Sequence, residues 1–113
     1  MAASEFSTTL AHHQQLLEAT LSLLGVAREE RWDDIEAAGV LQREALARIE
    51  SQPAEPLSAE QRGQLNGLLQ QIDHANQEAL QRVEAWRLEV GDILQSFEQS
   101  RGNADRLSKA YGG

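Results

Sequence analysis

Cysteine is absent from the sequence. That excludes a disulfide framework, a thiolate zinc site and a cysteine nucleophile, and it fits a reducing, cytoplasmic setting. No stretch approaches the roughly 18 apolar residues needed to span a bilayer. The first ten residues have neither a basic n-region nor an apolar h-region, so a secretory signal is not expected. Positive charge is scarce: 10 Lys and Arg stand against 18 Asp and Glu, a formal net charge of −8. Such a chain repels phosphate backbones and anionic lipid surfaces, which argues against nucleic-acid and membrane binding. β-Branched residues are few, and both prolines, Pro53 and Pro56, fall in one short segment.

What is plentiful is Leu, Ala, Gln and Glu, all good helix formers. Hydrophobic residues make up 41% and charged residues 25%, which is a globular rather than a disordered balance. At 113 residues the chain is one domain's worth. It can bury roughly 65% of its unfolded surface, enough for one modest core.

The hydrophobic spacing predicts an all-α fold: an antiparallel three-helix bundle over 1–100, with helices at about 5–29, 34–50 and 59–100, and a short fourth helix or tail over 101–113. In the first helix Leu10, Leu17, Leu21 and Leu24 form one stripe, widened by Leu16 and Leu23, with His13, Gln14, Glu18 and Ser22 opposite. Asp33 or Asp34 is placed to cap the second helix. Its expected inner face is Trp32, Ile35, Gly39, Leu46 and Ile49, although Val40 and Leu41 blur it. The loop 51–57 carries both prolines, and Ser58 with Gln61 then reads as a capping box that opens the third helix. From Leu65 through Leu69, Ile72, Asn76, Ala79, Val83, Trp86, Val90, Ile93 and Phe97, apolar positions alternate in steps of four and three. Gly91 is the expected site of any bend, and Gly102 the expected stop.

The sequence offers little chemistry. His12 and His13 are adjacent, so on a helix they point about 100° apart and cannot share a metal without a third partner. Those two and His74 read as bystanders on helix surfaces. The carboxylates are scattered along polar faces rather than converging as a catalytic pair. There is no Glu-x-x-His pair, no Gly-rich phosphate loop, no Gly-x-Ser-x-Gly and no His-Glu-x-x-His. No enzymatic activity, metal or cofactor is therefore expected. Protein-binding surface is what remains. The long stripe outruns the two shorter helices, so Val83, Trp86, Val90, Ile93 and Phe97 are candidate partner-binding residues, the alternative for Trp86 and Phe97 being burial in the core. Residues 101–113 carry a local charge of +2, which leaves −10 on the rest of the chain. Leu107 and Tyr111 could dock this basic tail as a regulatory cover; otherwise it frays.

In their order, Arg31-Trp32-Asp33-Asp34-Ile35, Gln42-Arg43-Glu44-Ala45-Leu46, Leu68-Leu69-Gln70-Gln71-Ile72-Asp73 and the terminal Lys109-Ala110-Tyr111-Gly112 resemble the FliT family of flagellar type III export chaperones. The resemblance covers nearly the whole chain. The two-proline loop is not diagnostic of the family, and Gly39 and Val40 make the second helix less typical of it. The resemblance implies a cytoplasmic, non-enzymatic chaperone, monomeric or weakly dimeric. It would hold the filament-cap protein before export and touch the export ATPase complex or the export gate. It also implies a C-terminal helix, here 104–111, that covers part of the binding surface. Arg43 matches the family's helix-two arginine. A coiled-coil scaffold and a small helical regulatory module are the alternatives that the same heptads allow.

Overall fold

The computed structural model describes residues 2–112, with side chains described at 5–107 and at 109. It is all-helical, and no strand occurs among the described residues. Helix α1 spans Ala2–Arg28, a single 3-10 turn spans Trp32–Asp34, helix α2 spans Ile35–Glu50 and helix α3 spans Ala59–Gly112. The chain divides into two compact units, Met1–Arg82 and Val83–Gly113.

In the first unit, α1, α2 and the N-terminal half of α3 share a core. Leu16, Ala45 and Ile72 form one cluster, with Leu17, Ala19 and Ile49 against it. Leu23, Leu24, Val26, Ala38, Ala75 and Ala79 form the other, with Ile35 against it. The buried face of α1 differs from the leucine stripe that the sequence predicts. His13 and Thr20 lie in it, while Leu21 is 51% exposed. Both polar residues turn inward because their own helix satisfies them: His13 Nδ1 lies 2.8 Å from the Thr9 carbonyl, and the Thr20 hydroxyl donates to the Leu16 carbonyl at 2.8 Å. His13 is thus not the surface residue that the sequence suggests. On α2 the inner positions are Ala38 and Ala45, with Ile35, Gln42 and Ile49 partly buried, whereas Leu46 is exposed. Small residues there let the helices approach closely.

The helix ends follow recognisable chemistry. At the end of α1 the Arg31 amide donates to the Val26 carbonyl at 3.0 Å and the Glu30 amide to the Ala27 carbonyl at 3.2 Å. This is a Schellman stop, with Glu30 at φ 57° where glycine is usual. Asp34 precedes α2 but makes no side-chain cap. Its backbone is already helical, and its carboxylate accepts from Arg31 at 3.3 Å instead. The capping box forms as the sequence predicts: the Gln61 amide donates to Ser58 Oγ at 3.1 Å, and the Ser58 amide to Gln61 Oε1 at 3.0 Å.

The stop expected at Gly102 does not occur. Helix α3 continues through Gly91 and Gly102 to Gly112, so no separate fourth helix is present. A glycine inside a helix costs only about 1 kcal/mol, and Asp105, Arg106 and Leu107 carry the helix onward without a proline to break it.

Candidate protein-binding surface

Past Arg82 the alternating stripe of α3 runs on in the second unit. Val83, Trp86 and Val90 are half-buried, while Ile93 and Phe97 are 49% and 65% exposed. Leu94 beside them is also exposed, as is Leu107 ten residues beyond Phe97. An open depression of about 300 Å³ lies along this face, lined by Asp92, Ile93, Ser96, Phe97 and Ser100. The steps of three and four that wind these residues onto one side of a helix therefore leave large apolar groups in contact with solvent. The five candidate residues share that side. The side chain of Tyr111 lies outside the described ones, so only Leu107 of the two tail candidates is placed.

The sequence pattern passes over a second set of surface groups, on the first unit. Val40 and Leu41 are exposed on α2 beside Ala37, and the depression there, about 610 Å³, is edged by Asp33 and Glu36. A narrower groove of about 210 Å³ is lined by Leu16, Gln42, Arg43, Leu46, Ile72 and Asn76. At its floor the Gln42 amide donates to Thr20 Oγ1 at 3.1 Å and to Asn76 Oδ1 at 2.9 Å, which ties the three helices together. The signal for these groups is present in the sequence. Val40 and Leu41 fall off the inner stripe of α2, and an apolar residue off the stripe faces water.

The first unit also carries a charged clamp. Arg28 donates from Nε and Nη2 to the two carboxylate oxygens of Glu78 at 2.6 and 2.7 Å, and Arg82 Nε donates to the same carboxylate at 2.9 Å. Hydrogen bonds from Arg28 first, and then from Arg82, hold the Glu78 carboxyl down to about 2. Among the described residues no three His, Asp or Glu side chains gather where a metal could be held. None of the helices, over the described residues, is long and apolar enough to cross a membrane.

A family model described as flagellar protein FliT matches residues 10–112. No curated protein and no solved structure matches the chain.

Proposed function

The chain belongs to the FliT family of flagellar proteins, and from that premise we propose that it is a cytoplasmic export chaperone that holds the filament-cap protein before secretion and catalyses no reaction. The observation that carries this reading is the run of solvent-facing apolar residues on α3, with Phe97 at 65% exposure. A surface of this kind suits an amphipathic helical segment of a client, because burying apolar area stabilises the complex by roughly 25 cal/mol per Å². Val83, Trp86, Val90, Ile93 and Phe97 are the proposed contacts. The export ATPase complex and the export gate are the proposed further partners. The first unit serves as the scaffold. The order in which its clusters draw on the helices, Leu16 with Ala45 and Ile72 in one and Leu23 with Ala38 and Ala79 in the other, supports the reading of an antiparallel bundle. The basic tail 101–113, with Leu107 and Tyr111, is proposed to regulate access to the stripe.

The test is a calorimetric titration of the chain, and of its Phe97→Ala variant, with the helical end of the filament-cap protein. Loss of an anchor should weaken binding by more than about 1 kcal/mol with the unfolding midpoint unchanged. A loss of about 3–5 kcal/mol in stability instead would make Phe97 a core residue and remove it from the surface. In the same titration a chain ending at Ser100 binds the client more tightly if residues 101–113 act as a cover, and equally well if they do not.

A further inference from the structure

We propose that the outer face of α2, around Val40 and Leu41, docks an amphipathic helix of another protein whose apolar stripe is flanked by lysine or arginine. This surface lies wholly within the first unit and shares no residue with the client stripe of α3. Helical spacing puts Asp33, Glu36, Val40, Leu41, Glu44 and Arg48 on the side of α2 away from the buried Ala38 and Ala45. The open depression of about 610 Å³ along it is floored by Ala37, Val40 and Leu41 and edged by Asp33 and Glu36. Val40 and Leu41 are 38% and 58% exposed. The helix itself does not need them there: a β-branched valine is a poorer helix former than the alanines and glutamates elsewhere in α2, and two neighbouring apolar groups in water return little burial. An apolar pair rimmed by charge is a contact surface.

Charge selects the occupant. Among the described residues Asp33, Glu36 and Glu44 make no ion pair. The positive end of the helix accounts for Asp33 and Glu36, but Glu44 lies too far along α2 for that. With Arg48 as its cation, the face carries a net of −2. The unit around it holds 13 Asp and Glu against 6 Arg, so −7 of the chain's −8 resides there. A basic segment is drawn to this unit and held where apolar area can also be buried. A second copy fits poorly, because antiparallel pairing about Val40 would set Glu36 of one chain against Glu44 of the other. Those two carboxylates are eight residues apart, about 12 Å at 1.5 Å per residue, with the apolar pair between them. The complementary helix therefore carries its cations about two turns apart on either side of a bulky apolar residue.

The test uses the full-length chain and a fluorescein-labelled synthetic helix of about five turns, with leucines on one stripe and lysines two turns apart beside it. Binding is followed by fluorescence anisotropy. The parent chain should bind saturably, and Leu41→Asp should bind about tenfold more weakly. Glu36→Lys and Glu44→Lys should each weaken binding about threefold and flatten its salt dependence. A peptide with glutamate in place of every lysine should invert the order, preferring the doubly reversed Glu36→Lys/Glu44→Lys chain to the parent. The three replaced side chains are exposed, so helicity by circular dichroism should be unchanged. Phe97→Ala, on the client stripe, should leave the affinity as it is, whatever the client proves to be. No binding to the parent chain, binding that Leu41→Asp leaves intact, or binding lost in Phe97→Ala would overturn the proposal. Indifference to charge reversal would overturn the basic partner. Affinity raised by Arg106→Glu with Lys109→Glu would give the face to the chain's own tail, and a parent dimer that Leu41→Asp dissolves in sedimentation velocity would give it to a second copy.

Discussion

Thr20 has no exposed surface, yet its hydroxyl donates to Leu16 and accepts from Gln42, which in turn reaches Asn76. A buried polar group is tolerable when its partners are in place, and here the partners come from all three helices. The chain therefore gains a link that fixes which residues face each other, something alanine-rich contacts alone would specify weakly. Glu30 is a residue of the opposite sort, because its conformation is costly. At φ 57° it occupies the left-handed region, which strains an L side chain by roughly 1–2 kcal/mol. Glu30→Gly removes that strain but enlarges the freedom of the unfolded chain, which takes back part of the gain. The net effect should be a stabilisation of about 0.5–1 kcal/mol, read as a higher urea midpoint. A lower midpoint would mean that the Glu30 side chain contributes something its geometry does not reveal.

At the scale of elements, the features legible in the sequence are those written in local chemistry. Ser58 and Gln61 announce the start of α3 because a reciprocal cap needs only four consecutive residues. The two-proline segment declares a loop for a similar reason. The inner faces are harder to read. Ala38 and Ala45 carry the packing of α2, and alanine gives little hydrophobic signal, so Leu46 looks like the better core residue although it is 42% exposed. His13 and Thr20 turn inward against the pattern because the carbonyls that satisfy them leave no trace in hydrophobicity. The end of α3 departs from expectation for a different reason: Gly102 is a stop only if the chain turns there, and it does not. This makes Gly102→Ala informative. A Cβ at Gly102 meets nothing within 4 Å, and alanine is favoured over glycine in a helix interior by about 1 kcal/mol. The substitution should therefore raise mean helicity and the melting temperature of the second unit. A glycine that ended the helix in the left-handed region would respond with the opposite sign.

For the whole molecule, composition already excludes cysteine chemistry, and hydrophobic spacing implies an all-helical chain; the division at Arg82 has no local signature, because α3 passes through it unbroken. The stripe of candidate residues is visible as periodicity. Its exposure is not, since periodicity is the same on a covered helix and on a bare one. The chain's net charge of −8 opposes compaction as pH rises, yet one carboxylate works the other way. Glu78 joins the last turn of α1 to α3 through Arg28, and its carboxyl is held down to about 2 from an ordinary 4.5. A depressed carboxylate stabilises the fold fully above the pKa of the unfolded chain, and that stabilisation is lost as pH falls through the folded value. The window is therefore from about 4.5 down to about 2. Glu78→Gln keeps the side chain's size and removes its charge. Unfolding midpoints of the two proteins, measured across pH, should differ by a constant amount from neutrality down to the top of that window, converge within it and meet near its lower end. Carboxylates common to both proteins cancel in the difference. Added salt should shrink the gap at neutral pH, because the Glu78 side chain is 27% exposed and the Arg28 side chain 55%. A gap that stayed constant to the lowest pH would mean that the substituted amide disturbs packing and that the ion pair contributes nothing to stability.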